Sequence, residues 1–218
     1  MKITLLCSDA NHPVNAHINR WIEKNQSRHN LQIVRESGKL SGGDFLFLIS
    51  CTEIISPEKC ALYNYCLVLH ASDLPSGKGW SPHIWELIGG APGFTLSLLE
   101  AAEALDSGDI WSKVFVEIPK DALWDEINDK LFEAEISMLD FAINHHKTIT
   151  PRKQVAAAAP CKYWPKRSPG NSCVKADDSI AKQFDLLRTC DPTRYPAYVD
   201  HLGCRYKITL EKIIDASD

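Results

Sequence analysis

Apolar residues fall into short runs separated by polar loops, and the runs alternate between a strand-like and a helix-like spacing. Lys2–Cys7 is compact and apolar, the pattern of a β-strand. Ser8-Asp9-Ala10-Asn11 then offers helix-capping side chains, with Pro13 near a first helical turn. Val14, Ile18, Trp21 and Ile22 fall on one helix face, and Leu31–Val34 can form a second short strand. Asp44–Ser50 (DFLFLIS) and Tyr65–His70 (YCLVLH) are nearly unbroken apolar runs, as expected of strands covered on both faces of a parallel sheet. Ser56-Pro57-Glu58 starts a helix between them.

After a loop-rich stretch, ASDLPSGKGW, Ser81-Pro82 opens a helix that runs through Ile88 and stops at Gly89-Gly90. Phe94–Leu99 and Ile110–Ile118 read as two more strands, joined by a loop carrying Asp106-Ser107-Gly108-Asp109. From about Asp121 to about His145 the apolar positions Trp124, Ile127, Leu131, Ala134, Met138 and Phe141 keep three- and four-residue steps, which predicts a long helix. Gln154–Pro160 reads as a linker, followed by YWPKRSPGNS, a helix over about Asp178–Thr189 and short strands around Arg205–Ile213. Strands alternating with helices predict an α/β fold. The expected architecture is a Rossmann-like, mostly parallel sheet over residues 1–150, with a small C-terminal extension of helix and short strands over 151–218 packed on it.

Composition narrows the function. The 218 residues carry 24 Lys+Arg against 28 Asp+Glu, a formal net charge of -4, which argues against nucleic acid as the main partner. No apolar stretch approaches the roughly 18 residues of a membrane span, and the first apolar run stops at Cys7, too short for a signal peptide. The expectation is a cytoplasmic protein without membrane contact. The 8 Cys include no C-x-x-C and several sit inside apolar runs, so they read as reduced structural thiols. His145-His146 are adjacent on a helix and diverge, a poor metal pair, and no metal site is expected. His12, His17 and His83 are scattered and read as surface or helix residues.

A buried strand ending in His70 delivers an imidazole to the carboxyl edge of a sheet, where open α/β folds bind ligands. LDSGDI places Asp106 in a loop able to return to that edge. A His–carboxylate pair there is a general acid/base unit.

The segments LHASDLPSGKGWSPHIWELIGG and GFTLSLLEAAEALDSGDIW resemble the signature of the formyltransferase family that uses 10-formyltetrahydrofolate. That family ends a strand in N-x-H, follows it with a small-S-x-L-P turn and a S/P-x-x-W helix, and later carries an L-D-x-G-D-I loop. The match covers about Asp44 to Ile118. The later segments YWPKRSPGNS and LLRTCDPTRYPAYVDHLGCRYKI resemble the tail of sugar formyltransferases more loosely. The resemblance implies that His70 and Asp106 are catalytic. It also implies a donor site between the loop Ser50–Ile55 and the loop Leu99–Asp106, with Ser50, Leu99 and Asp106 at the pterin and Ile54 and Leu98 as walls. The third catalytic position, two residues before the His, holds Val68 where the family has Asn. On the acceptor side the resemblance implies Ser72, Lys78, Lys166 and Arg167, the last two beside nucleotide-sugar phosphates. By spacing alone, Lys78, Lys166 and Arg167 read equally as surface cations, and Trp80, Trp85 and Trp164 as core.

The H-A-S-D-L-P-x-G-x-G-W-S-P-H-I-W form resembles enzymes of surface-polysaccharide pathways, including the pseudaminic-acid type, whose acceptor is a UDP-linked 4-amino-4,6-dideoxy sugar. Formylation of such an amine is the expected activity. Alternatives are a formyltransferase or deformylase acting on another acceptor and, because of Val68, a non-catalytic folate- or nucleotide-binding homologue. Enzymes that formylate initiator tRNA look like this domain followed by a second, basic one. About 70 residues follow the catalytic segment here, which argues against that acceptor. The sequence leaves open UDP versus dTDP and whether the chain forms a homodimer.

Overall fold

The computed structural model describes residues 1–155 and 161–213. Its centre is a six-stranded sheet built from β1 (Lys2–Leu6), β2 (Asn30–Val34), β3 (Gly43–Leu48), β4 (Tyr63–His70), β6 (Gly93–Glu100) and β7 (Ile110–Glu117), in the order β2-β1-β3-β4-β6-β7. The first four strands are parallel, connected through α1 (Val14–Asn25) and the short α2 (Pro57–Cys60). β6 runs antiparallel to β4, and β7 antiparallel to β6. This is an α/β fold with a mostly parallel sheet, and the carboxyl ends of β1, β3 and β4 share one edge.

Between β4 and β6 lie the two-residue β5 (Lys78–Gly79) and α3 (Pro82–Ile88). α4 (Trp124–His145) follows β7, and the chain continues through β8 (Tyr163–Trp164), β9 (Cys173–Val174), α5 (Ile180–Arg188), β10 (Ala197–His201) and β11 (Cys204–Ile208). β8 pairs with β5, so Tyr163–Trp164 lies beside the loop that follows the His70 strand. β9, β10 and β11 form a separate three-stranded sheet. Most of the proposed linker, residues 156–160, lies outside the described residues.

The apolar stripes account for these elements. Val14, Ile18 and Trp21 of α1 and Ile127, Leu131, Met138 and Leu139 of α4 are buried against Ile3, Leu5, Phe45, Phe47, Leu67 and Leu69 of the sheet. Each such side chain contributes roughly 1.5–3 kcal/mol. Trp21 Nε1 donates to Asp140 at 2.7 Å and ties the two helices together. The opposite face buries Leu6, Leu46, Leu48, Ile55 and Tyr63, with Cys60, Cys66 and Val68 packed on them. The N-cap of α1 is Pro13, not one of Ser8–Asn11, and it makes no side-chain cap hydrogen bond; the Val14 N–H donates to His12 Nδ1 at 3.2 Å, while Asp9 closes its own turn on Asn11 N–H at 2.8 Å.

α4 also buries a carboxylic acid. Glu135 is 5% exposed, one of its oxygens has no partner among the described residues, and burial pushes its pKa up to about 8. An unfolded chain ionises this group near 4.5, so the folded state holds one more proton between about pH 4.5 and 8, and stability falls with rising pH across that window. At about 1.4 kcal/mol per pKa unit the loss is on the order of 5 kcal/mol. Glu135→Gln is expected to flatten this dependence. The denaturant midpoint of the variant, taken relative to wild type at the same pH, should rise between pH 5 and 8.5, a difference that cancels the opposite contributions of the neutral histidines His12 and His83.

Candidate active site

His70 closes β4, a strand with no polar side chain between Cys66 and itself, so the sheet carries the imidazole to its edge and packing fixes the ring. The ring is buried. Its Nε2 lies 3.0 Å from the Gly77 carbonyl, which can only accept, so Nε2 carries a hydrogen. Its Nδ1 faces Asp106 Oδ1 at 3.5 Å. The ring is therefore held between two acceptors, the Gly77 carbonyl at Nε2 and the Asp106 carboxylate at Nδ1.

Asp106 reaches His70 because the loop between β6 and β7 folds back. Ala101 N–H donates to the Cys66 carbonyl at 2.8 Å, and Asp106 itself adopts a left-handed conformation (φ 52°) that turns the chain. Gly79 N–H donates to Asp106 Oδ2 at 3.1 Å and orients the carboxylate. Gln154 braces the loop from outside, its amide donating to the carbonyls of Asp106 (3.0 Å) and Gly108 (2.9 Å). A Cβ at Gly108 would collide with the Glu100 carbonyl, which accounts for glycine two residues after the acid.

Val68 stands on the same strand face as His70, two residues away, flanked in register by Leu48 of β3 and Leu99 of β6. Neither neighbour offers a hydrogen-bond donor. Ser50, left-handed at φ 48°, turns the chain out of β3 into Cys51–Ile55. The main-chain N–H groups of Ala102–Leu105 are exposed and have no partner among the described residues, a donor set suited to the edge of a planar heterocycle.

Three expected site residues are corrected. Leu98 is fully buried and points into the main core, because strand alternation puts it on the opposite face from Leu99 and Val68. Ile54 is 80% exposed and forms no wall in this conformation. Ser72 is fully buried and its hydroxyl donates to the Ser76 carbonyl at 3.0 Å, so it holds the turn and is not free for a substrate.

The cations divide. Lys78 is half-buried in β5, and exposed Lys166 places Nζ 4.9 Å from the Trp80 ring centre. Arg167 donates to Ser172 Oγ at 3.1 Å, while its Nε is buried without a partner among the described residues. Arg167 and Arg194 flank the ring of Tyr195 at 5.8 and 5.9 Å, and Arg194 reaches across to Asp9, after β1, at 3.2 Å. Trp85 and Trp164 stack at 5.7 Å, with Lys162 3.6 Å over Trp164.

His83, expected as a surface or helix residue, lies in α3 but is buried. It is 9% exposed, packed on Phe94 at 5.2 Å, with a buried Nδ1 that has no partner among the described residues. Burial, then the charges of His70, Arg167 and His12, lowers its pKa to about 3, so it is neutral. His12 is held neutral as well: burial and then Arg194 lower it to about 4. Cationic character on this side therefore comes from the arginines. The position of His83 directly after Pro82, at the start of the helix that follows the catalytic loop, was the available signal.

A buried His–Asp pair at the carboxyl edge of a Rossmann-like sheet, next to a turned acidic loop, is an arrangement suited to acid/base chemistry. Residues 5–143 match the family model described as formyl transferase. The chain belongs to the formyl transferase family, whose donor is 10-formyltetrahydrofolate. It is 29% identical over 179 residues to methionyl-tRNA formyltransferase of Clostridium acetobutylicum, an alignment covering 80% of this chain and 56% of that protein. The chain thus spans about half the length of the curated relatives it matches. Among solved structures, methionyl-tRNA formyltransferase from Clostridium thermocellum superposes with TM-score 0.81 at 20% identity, over 100% of this chain and 95% of that one. A sugar N-formyltransferase from Shewanella sp. superposes with TM-score 0.72 at 14% identity, over 98% of both chains. At those identities the two structures speak to the fold alone. Among the described residues no helix is long and apolar enough to cross a membrane.

Proposed function

We propose that the chain transfers the formyl group of 10-formyltetrahydrofolate to the amine of a nucleotide-linked amino sugar, of the UDP-4-amino-4,6-dideoxy class. The observation that carries the chemistry is the buried His70–Asp106 pair beside free main-chain donors of Ala102–Leu105. The acceptor amine attacks the formyl carbon. Asp106, directly or through His70, takes the proton the amine sheds, and His70 steadies the tetrahedral intermediate. His70 then returns a proton to the departing folate nitrogen. The donor lies between Ser50–Ile55 and Leu99–Asp106.

Two features support a phosphorylated acceptor on the other side of His70. Arg167 and Arg194 converge on Tyr195, and Arg167 keeps an unpartnered buried Nε. Arginine grips phosphate bidentately, and a flanked ring offers a stacking surface. Arg167→Ala and Arg194→Ala are expected to raise the acceptor KM about tenfold or more each, with the affinity for folate unchanged. Initial rates against acceptor concentration, beside calorimetric folate binding, check this. A loss of folate affinity instead would move both arginines to the donor side.

A further inference from the structure

Cys60 and Cys66 bring their sulfurs to 3.1 Å. Cys60 is the last residue of α2, Cys66 is the fourth of β4, and both are half-buried on the sheet face that carries Val68. We propose that these two thiols form a reversible dithiol–disulfide switch, a redox modification site beneath the donor cleft that a hydroperoxide oxidises.

The geometry needs little motion. A disulfide bond is about 2.05 Å, so the sulfurs have about 1 Å to close, and α2 is a single turn that can move. The thiols also differ in character. Cys66 donates to Cys60 Sγ, which draws the Cys60 thiol below its ordinary pKa and pushes Cys66 above it. Thiolate character is what makes a cysteine react with peroxide. By contrast, burial raises the nearby Cys51 and Cys7.

The steps balance. The Cys60 thiolate attacks one peroxide oxygen, the O–O bond breaks, and the departing hydroxide takes a proton to leave as water, giving Cys60 sulfenic acid. The Cys66 sulfur then attacks the Cys60 sulfur, the S–O bond breaks, and the hydroxyl leaves with the Cys66 proton as a second water. Two thiols lose two electrons and two protons, and the peroxide is reduced to two waters. A dithiol reductant reverses the bond by exchange.

Both walls of the donor cleft hang on these residues. α2 ends the segment that runs on from Ser50–Ile55, and the Cys66 carbonyl anchors Ala101 at the start of the Asp106 loop. Joining Cys60 to Cys66 ties one wall to the root of the other. This consequence rests on the donor reading above; the bond itself does not.

The full chain would be exposed to hydrogen peroxide, alkylated and cleaved after lysine. Cleavage at Lys59 and Lys78 leaves both thiols in one peptide, Cys60–Lys78. The expected result is that this peptide loses two hydrogens and escapes alkylation, that a dithiol reductant restores it, and that Cys60→Ser and Cys66→Ser each abolish the change. Exposed Cys173 and Cys204 should stay alkylated throughout. Two alkyl groups on the peptide, over-oxidation of Cys60 without a bond, or a bond to another cysteine would overturn the proposal. After peroxide removal, binding of 5-formyltetrahydrofolate should weaken at least fivefold in the oxidised wild type and not in peroxide-treated Cys60→Ser. Equal binding in reduced and oxidised protein would remove the link to the donor cleft. No folate binding in the reduced protein would instead defeat the donor reading.

Discussion

His70→Ala and Asp106→Asn are each expected to lower kcat by about 10²–10⁴-fold, the range lost when a positioned acid or base is removed. Asp106→Asn is the cleaner variant, because an amide oxygen still accepts from Gly79 N–H while the charge facing His70 Nδ1 is gone. His70→Ala also leaves the Gly77 carbonyl without its partner, so thermal unfolding of each variant separates chemistry from folding. The two groups are in direct contact and act as a unit, and the double variant should therefore be little slower than the slower single one. Multiplicative losses, or full activity in either variant, would contradict a coupled pair.

The second large effect concerns Val68. By the sequence resemblance it takes the place of an Asn in the family's N-x-H strand end, and its cross-strand neighbours Leu48 and Leu99 cannot donate a hydrogen bond. A single donor to a developing oxyanion is worth about 10²–10³ in rate. Val68→Asn is expected to raise kcat toward that range. It should cost about 1–3 kcal/mol of stability, since a polar group enters a half-apolar position. Single-turnover rates at saturating donor measure the gain directly. An unchanged rate would show that another group already serves the oxygen.

Much of this was legible in the chain. Tyr65–His70 had to be a buried strand because it offers no polar face, and a strand of that kind can end in a catalytic imidazole only at an edge. The helix stripes of α1 and α4 follow directly from three- and four-residue spacing. The antiparallel sense of β6 and β7 was not legible, because an apolar run says nothing about direction. The assignment of Leu98 as a wall ignored strand alternation, which separates it from Leu99. The burial of His83 was not legible because it comes from tertiary packing on Phe94, nor was the role of Gln154, which meets the Asp106 loop across 48 residues of chain.

The account turns on which amine receives the formyl group. The purified chain should be incubated with 10-formyltetrahydrofolate and, in parallel, UDP- and dTDP-linked 4-amino-4,6-dideoxy sugars, glycinamide ribonucleotide and methionyl-tRNA, following tetrahydrofolate release. The predicted result is release dependent on an amino sugar, with the N-formyl sugar recovered and Asp106→Asn inactive. Release driven by methionyl-tRNA instead, or folate bound with no acceptor-dependent release at all, would contradict it.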